Sequence, residues 1–342
     1  MNSVDRVMTA LRRQQPDRVP IVEFIIDERI ARAIDPDARD VPDFMDRIGL
    51  DGVCCGASFS KVSESEDGTY VDEWGVTYKT DAIEFVNHPL RGPIRTLEDA
   101  KRYSPPDPDA PHRLGKLPDM VDRYKGKRAI VFFHRAAFMW SAYLMGLDML
   151  LESLLAEPEL AELVMDKVLE ANIAVARRAV RAGAEVVVLG DDFAHNTAPL
   201  MSPALFDEFI LHRLTKMVRA IHDEGAFCVK HTDGNIYSIL DPIVASGVDA
   251  INPIEPLAGM DLRTVKRLVG DKVCIVGNID CGHLLSNGSP EEVEAAVIRA
   301  IQDAGAGGGY ILGSSNSIHS SVKPENFVAM VRTARRYGAY GS

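Results

Sequence analysis

The chain has 342 residues, of which 46% are hydrophobic and 26% are charged, and these are ordinary proportions for a packed globular protein. This composition excludes a disordered chain, a collagen and a small disulfide scaffold. The 38 basic and 50 acidic side chains give a net charge of −12, which argues against a nucleic-acid partner because binding phosphates requires a basic face.

The cysteines and the longest apolar run predict the compartment. The five cysteines are odd in number and contain no CxxC pair, which indicates reduced thiols in a cytoplasmic protein. The longest uncharged run, residues 136–147, is shorter than the roughly 20 residues of a membrane-spanning helix. The amino terminus has no apolar core typical of a signal peptide. We therefore expect neither a membrane span nor secretion.

The first predicted elements are a helix and two strands. An apolar stripe at helical spacing predicts a helix from Ser3, its N-cap, to about Arg13. Apolar runs at residues 19–26 and 52–57 predict two short buried strands, separated by a helical stretch that ends near Ile48.

Residues 59–112 interrupt this alternation of predicted helices and buried strands. Within them, residues 70–79 alternate between apolar and polar side chains around a glycine, which predicts an antiparallel hairpin. Four prolines in residues 104–111 predict an irregular loop after it. We therefore expect the insertion 59–112 to place a β-hairpin beside the main sheet, after the second strand.

From residue 129 onward, apolar runs alternate with helical stretches. Six strands are predicted, at residues 129–134, 185–192, 227–231, 250–254, 273–278 and 309–313. Helix starts are marked at Ser202-Pro203, Asp261, Ser289-Pro290 with Glu292, and Lys323-Pro324. A long helical region after the first of these strands is predicted to split near Pro158.

Eight short strands alternating with helices favour an α/β fold, a (β/α)8 TIM barrel in which residues 1–342 form one domain. A doubly wound open sheet is the alternative, but no GxGxxG motif follows the first predicted strand.

Polar residues follow almost every predicted strand. Catalytic groups of a (β/α)8 barrel lie at the carboxyl ends of the strands. The strand interiors are apolar, so this bias favours a catalytic rim over a purely structural barrel. The residues at the strand ends are Glu23, His134, Asp191 with Asp192, His231 with Asp233, Asn252 with Glu255, Asn278 with Asp280, and residues 314–316.

His231 and Asp233 are the strongest candidates for catalysis. Their spacing places both side chains on one side of an extended segment, which suits metal chelation or a histidine–carboxylate pair. Asp191 and Asp192 cannot both point inward from a strand, and we predict Asp191 as the catalytic group with Asp192 behind it. The alternatives are a loop histidine bonded to the backbone and carboxylates that cap helices.

An aromatic cluster follows residues 129–134 and includes Phe138 and Trp140. Core packing is its default explanation. Aromatic side chains at the mouth of a barrel would also suit a flat apolar substrate, and both interpretations stay open.

Several of these segments together resemble the uroporphyrinogen decarboxylase superfamily of (β/α)8 barrels, which contains the haem-pathway decarboxylase and corrinoid-linked methyltransferases. The resemblance extends over nearly the whole chain and is strongest over residues 184–330. The hairpin within the insertion resembles the methyltransferase-like branch. The segments are Gly190-Asp-Asp, His231-Thr-Asp-Gly-Asn, Asn252-Pro-Ile-Glu-Pro, Gly277-Asn-Ile-Asp and Ile311-Leu-Gly-Ser-Ser-Asn.

The chain departs from both branches of that superfamily. Where the decarboxylase has arginines that bind the carboxylates of its substrate, this chain has Glu23, Asp27 and Glu28. Such acids repel a polycarboxylate. Where thiol-methylating members have a His-x-Cys zinc pair and a late cysteine, this chain has His231-Thr-Asp233 and Asn316. A thiolate-rich zinc site is therefore not expected.

The resemblance implies a methyltransferase that moves a methyl group from a small O- or N-methylated donor, such as a methoxy-aromatic compound, to a corrinoid protein. A zinc ion held by His231 and Asp233, joined by Asp191 or Glu255, would stabilise the leaving atom. Cobalamin would be carried by the separate corrinoid protein, and a homodimer is left open as the assembly. The donor pocket would be lined by Glu23, His134, Phe138, Trp140, Asn278 and Asn316.

Two other functions remain as alternatives. One is decarboxylation of a tetrapyrrole or another carboxylate, which requires cations at the mouth, and Arg135 and Lys230 are the candidates near strand ends. The other is a non-catalytic barrel that binds a ligand, which predicts no metal and no ordered cluster of acids.

Overall fold

The structure is a computed structural model that describes residues 1–80 and 87–340. Residues 81–86 of the predicted insertion and residues 341–342 of the predicted domain lie outside the described residues. The strands are β1 (Gly52–Gly56), β2 (Lys61–Glu64), β3 (Thr69–Asp72), β4 (Thr77–Thr80), β5 (Asn87–Arg91), β6 (Ala129–His134), β7 (Val186–Gly190), β8 (Phe227–His231), β9 (Ala250–Asn252), β10 (Cys274–Ile279) and β11 (Tyr310–Ser314).

Helices follow most strands of the main sheet and cover it. The α-helices are α1 (Ser3–Leu11), α2 (Glu28–Ile34), α3 (Val41–Ile48), α4 (Leu97–Arg102), α5 (Leu117–Tyr124), α6 (Phe138–Met145), α7 (Leu147–Ala156), α8 (Pro158–Arg181), α9 (Pro203–Leu205), α10 (His212–Asp223), α11 (Leu240–Ala245), α12 (Leu262–Val269), α13 (Leu284–Asn287), α14 (Pro290–Ala304) and α15 (Pro324–Tyr337). A π-helical segment, Phe206–Leu211, joins α9 to α10, and short 3-10 helices span Tyr237–Ile239 and Pro256–Ala258.

The main sheet has seven parallel strands in the order β1-β6-β7-β8-β9-β10-β11, as in a TIM-barrel-like fold. Its strands are almost entirely buried, as expected when helices pack on a parallel sheet. The strands predicted at residues 52–57 and from residue 129 onward are confirmed as β1 and β6–β11.

The first predicted strand, residues 19–26, is not a regular strand. Its residues make only isolated parallel bridges, from Ile21 to Leu312 and from Ile26 to Ile318. The side chain of Glu23 accepts a hydrogen bond from the backbone N–H of Ser314, which a strand carbonyl would otherwise take. Because the Glu23 side chain takes this N–H, the backbone hydrogen bonds between residues 19–26 and β11 are interrupted.

The insertion forms a sheet of its own, larger than the two-stranded hairpin that the sequence predicts. Strands β2, β3, β4 and β5 form an antiparallel sheet in that order, and β3 pairs with β4. Strands β2 and β5 are exposed along their whole length and lack alternating apolar residues, so the sequence carries no signal for them. Trp74 between β3 and β4 stacks on Trp140 of α6 at a centroid distance of 4.4 Å, which attaches this sheet to the main domain.

The predicted helix starts are confirmed at Ser202, Asp261, Ser289 and Lys323. The first helix differs, because Asn2 rather than Ser3 is its N-cap. The long helical region after β6 is divided into three helices, broken at Gly146 as well as at Pro158.

Within residues 1–80 and 87–340, no single helix is both long and apolar enough to cross a membrane. Helices α6 and α7 reach that length and composition only as a pair, and this pair is bent by 101°.

Candidate functional site

Three side chains converge at the carboxyl ends of β7 and β8. His231 Nε2 lies 3.5 Å from Asp233 Oδ1 and 3.8 Å from Asp192 Oδ1. One ligand atom from each residue lies within 4.8 Å of the others. Both distances exceed the ~2.7–2.9 Å of a charge-assisted hydrogen bond, so the three groups surround a point rather than form a closed ion pair.

The register of the parallel sheet brings these residues together. Gly190 of β7 pairs with His231 of β8, so that Asp192 and Asp233, each two residues further along its own strand, come level with one another. The prediction that His231 and Asp233 lie on one side of an extended segment agrees with this arrangement. The acid that joins them is Asp192 and not Asp191.

Asn252 at the end of β9 determines the tautomer of His231. Its amide Nδ2 donates to the backbone carbonyl of Val276 at 3.2 Å, so its Oδ1 faces the imidazole. That oxygen lies 2.6 Å from His231 Nδ1 and can only accept, so Nδ1 carries the proton. The lone pair of the neutral ring is therefore on Nε2, the atom that faces the two carboxylates.

Asp233 offers one oxygen atom without a partner. Its Oδ2 accepts a hydrogen bond from Asn316 Nδ2 at 2.5 Å, whereas its Oδ1 is buried with no hydrogen-bond partner in the described residues. Burial, reinforced by the charges of Asp192 and Glu255 against the opposing influence of His231, raises the pKa of Asp233 to about 6. A cation at this point would relieve both the burial cost and the missing contact.

Asp191 has a structural place instead. It is fully buried, and its two oxygens accept hydrogen bonds from the backbone N–H groups of Ala136 at 2.7 Å and Met139 at 2.9 Å. These N–H groups belong to the first turn of α6 and the residues before it, so the carboxylate caps that helix. Its predicted role in catalysis and metal binding is therefore not supported by its contacts.

We expect Asp191→Ala to lower the free energy of unfolding by about 2 kcal/mol, because two buried N–H groups lose their acceptor. Urea denaturation measures this loss. Asp192→Ala is the matched control, since this neighbouring acid is one-third exposed and its removal should cost less than about 1 kcal/mol. Equal losses in the two variants would contradict the structural role of Asp191.

Glu255 and Asn278, also predicted at the site, bond to the backbone. Glu255 Oε2 accepts from the N–H of Gly234 at 2.7 Å, which holds the loop that carries Asp233. Asn278 Nδ2 donates to the carbonyl of Ile254 at 3.1 Å and lies at a separate groove beside α14.

A small cavity of about 30 Å³, continuous with open solvent, adjoins the cluster. Its lining includes two of the predicted pocket residues, Glu23 and Asn316. Phe133 forms another wall, and its ring lies edge-on to His231 with a centroid distance of 6.0 Å. The lining residues are Val22, Glu23, Phe24, Ile25, Phe133, His231, Asn252, Ser314, Asn316 and Ser317.

Three further predicted pocket residues lie in the core. His134 is buried, its Nε2 lies 3.0 Å from the backbone carbonyl of Asn172, and burial lowers its pKa to about 4. Phe138 packs edge-on against Phe193, and Trp140 stacks on Trp74. The contacts of these three residues are those of core packing, the alternative to a place in the donor pocket.

Sequence reasoning underrated Asp192 and did not assign Asn252 or Phe133 to the site. A signal for Asp192 was present, because Asp192 stands two residues after the apolar run 186–190, as Asp233 stands two residues after the run 227–231. No comparable signal existed for Phe133, since its place in the cavity depends on Gly190. A Cβ atom at Gly190 would lie 2.4 Å from the Phe133 ring.

Comparison with known proteins gives consistent matches. A family profile described as uroporphyrinogen decarboxylase (URO-D) matches residues 75–337. A uroporphyrinogen decarboxylase of Coxiella burnetii (strain Dugway 5J108-111) is 25% identical over 370 residues, covering 97% of this chain and 95% of that relative. Another, of Pseudoalteromonas translucida (strain TAC 125), is 25% identical over 262 residues, covering 72% of this chain and 70% of that relative.

Among solved structures, a methyltransferase from Methanosarcina mazei superposes with a TM-score of 0.79 at 20% identity, covering 98% of this chain and 99% of that one. This likeness shows a shared fold. The profile match extends over more than half of the chain and agrees with the resemblance of its strand-end motifs. The chain therefore belongs to the uroporphyrinogen decarboxylase (URO-D) family.

Proposed function

We propose that this protein transfers a methyl group from a small O- or N-methylated donor, such as a methoxy-aromatic compound, to a corrinoid protein with the assistance of a metal ion. The observation that carries the proposal is the cluster of His231, Asp192 and Asp233, in which a nitrogen lone pair and two carboxylates face one point. Without a cation, the two carboxylates would repel each other in a half-buried site.

The donor set fits a catalytic metal. One imidazole nitrogen and two carboxylate oxygens are ligand types that zinc accepts, and catalytic zinc sites combine three protein ligands with an open position. The hydrogen bond from His231 Nδ1 to Asn252 is the outer contact that a metal-binding histidine usually has. A bound metal would supply a Lewis acid that neutralises negative charge on the leaving oxygen or nitrogen.

The other residues of the cavity would hold the donor. Phe133 and Phe24 form apolar walls that would hold the methyl-bearing group. Asn316 fixes Asp233 through its amide, so that only Oδ1 faces the cluster. The corrinoid partner would have to approach the cavity from the solvent side, where Asn316 is exposed.

Two measurements on purified protein test this proposal. Protein prepared without chelator should contain close to one zinc or similar ion per chain, and should methylate cob(I)alamin when a panel of methoxy-aromatic donors and methylamines is supplied. Loss of the cob(I)alamin absorbance reports the transfer. Protein that binds no metal and methylates nothing would contradict the proposal and leave a ligand-binding barrel.

Asn252→Ala should weaken zinc affinity about 10–100-fold, because His231 Nδ1 loses the acceptor that holds its tautomer. Competition with a chromophoric chelator measures that affinity. Asn278→Ala is the matched control, since its amide bonds the backbone two residues after Asn252 without touching the imidazole. An unchanged affinity in Asn252→Ala would show that the ring needs no outer partner.

Decarboxylation of a carboxylate substrate is the second candidate. The curated relatives named uroporphyrinogen decarboxylase favour it, as does Arg135, a cation at the end of β6 whose NH1 donates to the carbonyl of Gly190 at 2.5 Å. The lining of the cavity disfavours it, because none of the described lining residues is a lysine or an arginine. Release of carbon dioxide from uroporphyrinogen would establish this candidate over methyl transfer.

A further inference from the structure

Glu23 is a buried carboxyl group that faces the same cavity as His231 without belonging to the three-residue cluster. Its residue is 3% exposed. Its two oxygens contact only Ser314 among the described residues, through the backbone N–H at 2.7 Å and the hydroxyl at 2.7 Å. Burial raises its pKa and the hydrogen bonds from Ser314 lower it, and no lysine or arginine of the described residues forms an ion pair with it.

Glu23 can carry a proton because the hydroxyl of Ser314 has two possible acceptors. It lies within hydrogen-bond distance of Glu23 Oε2 and of the backbone carbonyl of Asn316, and a carbonyl oxygen can only accept. A hydroxyl has one proton, so when Ser314 donates it to Asn316, the contact between Ser314 Oγ and Glu23 Oε2 takes its proton from the carboxyl group. Burial favours this protonated form and raises the pKa of Glu23 to about 8, although the hydrogen bonds that Ser314 donates act against it.

We propose that Glu23 is a catalytic acid that donates its carboxyl proton to the oxygen atom from which the methyl group leaves. This inference rests on the proposed function and narrows its substrate to O-methylated donors. A methoxy group leaves faster with such a proton, even where a metal ion carries part of the charge, because an alkoxide or phenoxide is a poor leaving group. A quaternary ammonium donor does not need one, since its amine leaves uncharged.

The C–O bond breaks and its electron pair stays on oxygen, which takes the proton of Glu23. The methyl carbon is taken by the electron pair of the Co(I) corrinoid, whose cobalt is formally oxidised to Co(III) as the methyl group is transferred. The products are an alcohol or phenol, a methylated corrinoid and the Glu23 carboxylate, which the N–H and hydroxyl of Ser314 can hold until it is reprotonated by solvent.

The kinetic test compares wild type with Glu23→Gln, using cob(I)alamin as acceptor and methoxybenzenes whose phenols differ in acidity. Glutamine keeps the shape and can donate to Ser314 Oγ, but it has no proton to release. With 4-methoxyphenol as donor, the rate should fall about 10²–10⁴-fold. With 4-nitroanisole, whose phenoxide leaves readily, the loss should be much smaller. A loss that is the same for both donors would overturn the role of Glu23.

Asp72→Asn is the matched control for this series. Asp72 is also a buried acid, but it lies in the inserted sheet, where its Oδ1 accepts from the N–H of Val76. Its replacement should leave the dependence on the leaving group as it is in wild type. A control that shifts this dependence as much as Glu23→Gln would also overturn the assignment.

A second readout does not depend on activity. At pH 7, the infrared carbonyl band of a protonated carboxylic acid should be present in wild type and absent in Glu23→Gln. It should disappear as the pH is raised through about 8. The titratable groups that face Glu23 are His231, Cys281 and, through Asn316, Asp233, and all remain in the variant. The absence of the band in wild type would overturn the proposal.

The two readouts separate the failure of this inference from failure of the proposed function. Wild type that methylates cob(I)alamin with no donor of any class overturns the proposed function. Wild type that does so with a leaving-group dependence unchanged in Glu23→Gln overturns only the role of Glu23.

Discussion

Replacing His231 with alanine is expected to lower both zinc affinity and methyl transfer by more than roughly 100-fold, because even the loss of an outer partner of a ligand costs about 10–100-fold. The imidazole is the one nitrogen donor of the cluster, and Asp192 and Asp233 alone would leave two oxygen ligands. Metal content after dialysis and the rate of cob(I)alamin methylation measure the two effects.

His222→Ala is the matched control for that experiment. His222 Nε2 lies 2.8 Å from Asp249 Oδ2, so this residue forms another histidine–aspartate pair, but at the amino ends of β8 and β9. Its loss should leave metal content and rate within about twofold of wild type, as for a partly exposed pair far from the cavity. If His231→Ala kept its metal and its rate, the proposed metal site would be refuted.

Replacing Lys230 with methionine is expected to lower the free energy of unfolding by about 3 kcal/mol, because several buried carbonyl groups lose their donor together. Lys230 is fully buried, and its Nζ donates to the carbonyls of Leu189, Asp191 and His231. Its ammonium group also lies 4.2 Å from the centroid of the Phe193 ring. Urea denaturation of metal-free protein measures the loss.

Lys167 provides a closely matched comparison. Its Nζ also donates to three carbonyls, those of Ala100, Lys101 and Tyr103, but this residue is half-buried at the surface of α8. Water can replace its hydrogen bonds, so Lys167→Met should cost about 1 kcal/mol or less. Equal losses at the two positions would show that burial adds nothing to the role of Lys230.

Residues 52–57 and the chain from residue 129 onward were predictable because local signals agree with the fold. Apolar runs of strand length alternate there with helices that carry clear caps, such as Ser289 with Glu292. The segment around Glu23 was not predictable in the same way. The composition of this segment is that of a strand. The contact between the side chain of Glu23 and Ser314, almost 300 positions away, interrupts the pairing of the segment with β11.

The candidate site was predicted in part for a related reason. The spacing of His231 and Asp233 is a local property, and it places both side chains together whatever surrounds them. The choice between Asp191 and Asp192 depends on the neighbouring helix α6, whose first N–H groups bind the first acid and leave the second for the cluster. The sequence alone does not indicate which of the two acids accepts the hydrogen bonds from the first turn of α6.

Gly190 affects how the cavity could change through mutation. The Phe133 ring occupies the place where any side chain at position 190 would begin, so the width of the cavity depends on a residue that lines no part of it. One mutation to alanine there would displace an aromatic wall while leaving His231, Asp192 and Asp233 in the chain. Relatives that accept donors of a different size could thus arise without any alteration of the reacting groups themselves.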